Sequence, residues 1–215
     1  MRASDNLRDA ELVLVVEGED DRIAISALLK EHFPFLKDAI ETGLLALDTL
    51  SGASNLSYKI TEIRASICLR HVFLDYDKSG IEAFRVAKSR GLIEDRDANF
   101  ARCPALNESE LEDLYDLSIY DSLVQTKFRV FLQSPKFRAN KKWSVRLRDC
   151  FVQQGKDWND ETEYDVKLAV ARAVVANPEH ALNAHKREAF ISLGRSLEER
   201  LKEREKATQE LQVHA

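Results

Sequence analysis

Residues 11–21 read Glu11-Leu12-Val13-Leu14-Val15-Val16-Glu17-Gly18-Glu19-Asp20-Asp21, an apolar, mostly β-branched run that stops at a Glu-Gly pair and gives way to three acids. A short apolar run with no polar alternation belongs to a strand covered on both faces. Immediately after it, Ile23, Ala27, Leu28 and Leu29 fall at helical spacing over 20–32, and Pro34 closes that stretch. Working outward, a second strand is expected over 43–50, followed by the turn cluster Ser51-Gly52-Ala53-Ser54-Asn55 and a helix over 56–67. His71-Val72-Phe73-Leu74-Asp75 reads as a third strand, with a helix over 81–89 that ends near Gly91. A fourth strand is expected over 99–103, ended by Pro104, and a helix over 110–123. Strand and helix alternate, which predicts an α/β fold with a mostly parallel four-stranded sheet flanked by helices. Beyond residue 140 the strand signal fades and helices are expected over 143–152, 164–175 and 185–211. The chain therefore divides into a core over 1–125 and a mainly helical C-terminal extension over 126–215 that completes the domain.

The bulk numbers fit one such unit. The chain has 215 residues, 44% of them hydrophobic and 32% charged, enough to bury a core under a solvated surface. That composition excludes the disordered, collagenous and disulfide-stapled classes. The net charge of −5 argues mildly against a general nucleic-acid coat protein, though clustered metal-binding carboxylates would count toward it. The three cysteines, Cys68, Cys103 and Cys150, are widely spaced with no C-x-x-C, so they read as reduced thiols of a cytoplasmic protein. The amino terminus is polar, and no apolar run approaches the ~20 residues needed to span a bilayer.

Three acidic clusters fall at the expected carboxyl ends of strands: Glu17 to Asp21, Asp75-Tyr76-Asp77-Lys78-Ser79-Gly80, and Asn107-Glu108-Ser109-Glu110-Leu111-Glu112-Asp113. Open parallel sheets bind ligands at that edge. Crowded carboxylates repel one another, and hard divalent cations supply a reason to gather them. A glycine after Glu17 would let the backbone turn sharply and approach a phosphate. Each cluster alone also reads as a helix start whose acids complement the helix dipole, or as a polar loop. Their joint occurrence, in this order and on these elements, favours a metal site.

A strand ending in Glu17-Gly18 with an acid three residues past the glycine, then a later strand ending in Asp75-x-Asp77-x-x-Gly80, resembles the Toprim domain. That domain is shared by topoisomerases, bacterial primases, rRNA-maturation nucleases and the OLD family of nucleases. Ser109-Glu110-Leu111-Glu112-Asp113-Leu114 and Gly52-Ala53-Ser54-Asn55-Leu56 are similar to segments of the OLD branch, whose members work with ABC/SMC-like ATPases in anti-phage defence. The resemblance covers residues 11–120 and implies a Toprim-like Rossmannoid fold and a metal-dependent endonuclease. It departs from many OLD proteins in having no G-x-x-x-x-G-K-[ST] loop, so the ATPase would be a separate chain or another part of a longer one.

The expected chemistry is two-metal phosphodiester cleavage with magnesium or manganese. Glu17, Asp21, Asp75, Asp77, Glu110 and Glu112 are the expected ligands, with Glu17 also a general acid or base. Lys167 is the leading candidate for the cation that meets transition-state charge, as the resemblance implies for a late helical lysine; Lys186 and Lys141 are rivals. Between Lys127 and Arg148 lie eight basic residues and no acid, including Lys136, Arg138, Lys141, Lys142, Arg146 and Arg148, interleaved with Phe128, Phe131, Phe137 and Trp143. This stretch is an expected track for DNA or RNA, tRNA included. It also reads as a basic helix face with its aromatics in the core. Two other functions compete: a regulatory module that docks on the ATPase with latent or no cleavage, and a receiver-like phosphatase. Assembly into a homo-oligomer is left open, and no membrane partner is expected.

Overall fold

A computed structural model describes residues 10–64 and 68–213 of the chain. The polar amino terminus and the last three residues of the helix expected over 56–67 lie outside the described residues. Four strands, β1 (Leu12–Val16), β2 (Leu45–Thr49), β3 (Leu69–Leu74) and β4 (Ala98–Phe100), form one sheet in the order β2-β1-β3-β4. Every pairing is parallel, with Leu12 opposite both Leu45 and Leu69, and Val72 opposite Ala98. The α/β class read from the sequence is the observed one.

Helices α1 (Glu19–His32), α2 (Pro34–Thr42), α3 (Leu56–Arg64) and α4 (Lys78–Ser89) occupy the first half. Then come α5 (Asp121–Phe128), α6 (Trp143–Gln153), α7 (Asp160–Ala176), the single turn α8 (Pro178–Ala181) and the long α9 (Glu188–Val213). β1 is buried along its whole length and divides two cores by simple alternation. Leu12, Leu14 and Val16 face a large core built with α1, α2, α6, α7 and α9. Val13 and Val15 face a smaller one closed by α3 and α4. The C-terminal helices therefore share the large core with the sheet. Among the described residues, no helix is long and apolar enough to cross a membrane.

One local expectation is extended and two are corrected. The first helix does end at His32, ahead of Pro34, but Pro34 also opens α2 at its first position, where a missing N–H costs nothing and the fixed φ suits a helix. The strand expected over 99–103 is only Ala98–Phe100. The helix expected over 110–123 is two 3-10 turns, Leu111–Leu114 and Leu117–Ile119, ahead of the separate α5. The reason is local: the Glu110 N–H donates to Asp113 Oδ2 at 2.9 Å and the Ser118 N–H to Asp116 Oδ1 at 3.0 Å. Side-chain acceptors take backbone donors there and compete with a continuous helical ladder.

In α9, Gly194 is fully packed against the large core, and a Cβ at this position would overlap the Phe33 ring. Gly194→Ala is expected to lower stability by about 1–3 kcal/mol, the usual penalty of overpacking. A fall in the urea midpoint with an unchanged slope would show it.

Candidate metal centre

Because the strands are parallel, their carboxyl ends share one edge of the sheet, and Glu17 after β1 and Asp75 after β3 become neighbours. The Asp75 N–H donates to Glu17 Oε1 at 3.0 Å across 58 residues of sequence. The third acidic segment joins them through an antiparallel bridge: the Tyr76 N–H donates to the Ser109 carbonyl at 2.8 Å, and the Ser109 N–H to the Tyr76 carbonyl at 2.9 Å. Ser109 is fully buried and secures the loop, its hydroxyl donating to the Ala101 carbonyl at 2.8 Å and accepting from the Cys103 N–H at 2.9 Å. The Leu111 N–H then donates to Asp75 Oδ1 at 3.1 Å. Further on, the Asp116 N–H donates to the Ala181 carbonyl at 2.8 Å and the Asn183 N–H to the Leu114 carbonyl at 2.9 Å, which ties the segment to the chain just after α7.

The two motif glycines act by being small. Gly18 has φ −127°, a conformation open to any residue, so no special turn is needed there. What it permits is the close approach of Asp20, whose Oδ1 would lie 2.5 Å from a Cβ at position 18. The Gly18 N–H donates to Asp21 Oδ2 at 2.9 Å. A Cβ on Gly80 would overlap the Asp75 carbonyl oxygen and lie 3.4 Å from Glu17 Oε1, so Gly80 allows α4 to start against the two acids. Asp77 caps that helix, accepting from the Gly80 N–H at 2.9 Å.

Lys167, projecting from α7, sits among these carboxylates with its Nζ 3.5 Å from Glu112 Oε1. The charges of Glu112, Asp75, Glu110 and Asp21 hold its ammonium well above the usual lysine range despite the opposing cost of burial. Crowding and burial together oppose ionisation of several of these acids. Burial and the neighbouring charge of Asp20 push Asp21 up to about 7. Burial, with the charges of Glu17 and Asp21, raises Asp75 well above the carboxylate range. Glu112 is raised in the same way, by burial and by Glu110 and Asp21, and burial also raises Glu17.

A second lysine compensates the outer half of the site. Lys142 Nζ donates to Asp77 Oδ2 at 2.8 Å and lies 3.0 Å from Glu110 Oε1. Glu110 also accepts from the Ser144 N–H at 2.7 Å and the Ser144 hydroxyl at 2.8 Å. Burial opposes ionisation of both acids, but these partners outweigh it and hold Asp77 and Glu110 below their usual range. The neighbouring Asp113 is likewise committed, to the Arg146 guanidinium and to the Trp143 N–H at 3.1 Å.

The six expected ligands thus converge, in two different states. Asp77 and Glu110 are partnered by Lys142, whereas Asp21 and Glu112 lie deeper, beside Lys167, where burial raises both. Among the described residues, Asp20, Asp21 and Glu112 each offer an oxygen within 4.8 Å of the other two, an acidic group that could hold a metal ion. Glu112 is 4% exposed and its Oε2 has no hydrogen-bond partner. A buried carboxylate oxygen left bare is costly in a protein interior, and a hard cation with oxygen ligands would satisfy it. Asp20 was quoted in the first motif but not assigned a role there; only the tertiary position of Glu112 gives it one. Tyr115 was missed altogether. Its hydroxyl is buried without a partner in the field of Glu112 and Asp21, and nothing in the local sequence signals this.

The basic stretch is divided by the fold. Lys142 and Arg146 turn inward as counterions of the acids, and Phe137 and Trp143 are core residues. Lys141 pairs with Asp149 at 2.7 Å and Arg148 lies 4.0 Å from the same carboxylate. Lys136 and Arg138 are exposed, as is Phe131.

The raised acids have a measurable consequence. A group whose folded pKa lies above its unfolded value adds stability that is complete below the unfolded pKa and is lost as pH rises through the folded one. For Asp21 that window runs from 3.8 to about 7. The metal-free protein is therefore expected to melt at a higher temperature at pH 6 than at pH 8, in chelator. Equal melting temperatures would show that the acids are not strained.

No family model, no curated protein and no solved structure matches this chain.

Proposed function

We propose that this chain is a divalent-metal-dependent endonuclease of Toprim and OLD type, using magnesium or manganese to hydrolyse nucleic-acid phosphodiester bonds. The observation that carries this reading is the convergence of three acidic segments on one buried lysine, with a bare carboxylate oxygen in their midst. A purely structural network would match its charges; this one holds more acid than its two lysines balance, and burial opposes ionisation of the excess.

Asp20, Asp21 and Glu112 are assigned to one ion; Glu17, Asp75 and Asp77 are assigned to a second, which would have to draw their oxygens together and displace Lys142 from Asp77. A divalent cation at such a site polarises phosphate oxygens and lowers the pKa of water. Glu17, held by the Asp75 N–H and raised by burial, is placed to pass a proton to a leaving oxygen. Lys167 supplies fixed positive charge where the phosphate gains negative charge. Lys142 spans Asp77 and Glu110 and offers an ammonium at the outer rim. Exposed Lys136 and Arg138 suit contact with the phosphate backbone. In this reading the protein is cytoplasmic and answers to an ATPase outside the present sequence.

One observation favours the docking alternative: Lys142 already occupies Asp77 and Glu110, as it would in a latent site. The test incubates the protein with plasmid DNA, and separately with tRNA, in magnesium or manganese. Cleavage is expected, with loss in chelator and in Glu17→Ala. Cleavage indifferent to both would refute the mechanism, and silence with every substrate would favour the docking module.

A further inference from the structure

A cleft beside Asp77 adjoins the metal centre and is more apolar than it. It has a volume of about 640 Å³ and lies between the start of α3 and the first turns of α4. Pockets of ~300–1,000 Å³ with apolar walls and a few placed polar groups are the usual form of small-ligand sites. Leu56, Ala83 and Val86 provide the apolar walls, Ser54, Ser57 and Ser79 line the cleft as well, and the exposed Lys78, Glu82 and Glu108 form its charged rim. At one end are Asp77 and Lys142, the pair whose oxygen and nitrogen are 2.8 Å apart. The cleft therefore opens directly onto the outer half of the metal centre.

We propose, on the basis of the nuclease reading, that this cleft receives the base of one unpaired nucleotide, and hence that the substrate is single-stranded or locally unpaired nucleic acid. A nucleobase has two apolar faces and a polar edge. The walls match the faces, and the serine hydroxyls, each both donor and acceptor, match the edge. The Lys142 ammonium, at the end next to the acids, meets the phosphate joined to that base. Position supports this division: apolar surface for the base, Lys142 and the rim Lys78 for the phosphate in spite of Glu82 and Glu108 nearby, and the metal-centre carboxylates for the bond to be cut. A base stacked and paired within a duplex cannot enter such a cleft without being flipped out, which costs unstacking and unpairing energy. An unpaired strand avoids most of that cost.

The test is binding, measured in calcium to slow cleavage. A fluorescein-labelled single strand of about 12 nucleotides, within the usual single-strand site size, is compared by anisotropy with the same sequence as a duplex. A second strand carries 2-aminopurine, whose fluorescence rises when the base leaves its stacked neighbours. The wild type is expected to bind the single strand about tenfold more tightly, a difference readily resolved in Kd, and to brighten 2-aminopurine. Val86→Trp and Ser57→Trp, which fill the cleft from opposite walls, are each expected to remove that preference and the brightening, with circular dichroism confirming that both are folded. Equal affinity for single strand and duplex in the wild type would overturn the proposal, as would retention of the preference in both filled variants. Failure of the nuclease reading registers elsewhere, as absence of chelator-sensitive cleavage, so the two outcomes are distinct.

Discussion

Asp75→Asn should eliminate metal-dependent cleavage and, in chelator at pH 8, yield a more stable protein. Asp75 is the residue through which the three acidic segments meet. Its N–H holds Glu17, its Oδ1 accepts from the Leu111 N–H, and its charge adds to those of Glu17, Asp21 and Glu110. Asparagine preserves the shape and the Leu111 hydrogen bond but removes the anionic oxygen that a divalent ion requires. A loss of about 10³-fold in rate is expected, the scale of removing one fixed electrostatic partner of a transition state. The same change removes a buried charge that the metal-free fold accommodates only at a cost. Stability at pH 8 should rise by about 1–2 kcal/mol, as is common when functional strain is relieved. The gain should shrink as pH falls, because protonation of Asp75 then relieves the same charge in the wild type. Urea denaturation at pH 8 and pH 6 checks this. Destabilisation at both would show that Asp75 is a structural acceptor only.

Lys167→Met should have the opposite effect. It removes the cation that Glu112, Asp75, Glu110 and Asp21 surround and leaves their charge uncompensated. Breaking a buried ionic cluster by removing one partner costs about 3–5 kcal/mol. Since the acids can take up protons, the penalty should be largest at pH 8 and smaller at pH 6. Manganese should restore part of the lost stability at pH 8, because a bound ion supplies the missing charge. Cleavage should remain impaired even where folding is restored, since the fixed ammonium is gone. A variant of wild-type stability would place Lys167 outside the electrostatic centre.

How much of this was readable beforehand depends on the range of the interactions involved. β1 is a continuous apolar run covered on both faces, and β3 ends in the buried run Val72-Phe73-Leu74, both local properties, so these strands were legible, as were the parallel sheet and the acids at its edge. Local chemistry misled where one residue serves two roles. Pro34 ends α1 and begins α2, and the carboxylates of Asp113 and Asp116 break up a stretch whose composition suits a helix. Lys142 and Arg146 read as part of a phosphate track because eight basic residues occur together. Only tertiary structure shows that both answer carboxylates up to 65 residues away in sequence. Asp20 was legible as a member of the first acidic cluster but not as a ligand, and Tyr115 carries no local signal at all, since both roles follow from where Glu112 comes to rest.

The central claim is that acids from three separate segments gather to hold a divalent cation. Calorimetric titration of the metal-free protein with manganese at pH 7.5 addresses it directly. Saturable binding that releases protons, is weakened in Glu112→Gln and is absent in Asp75→Asn is the predicted result. No heat of binding in the wild type, or binding indifferent to both substitutions, would contradict it.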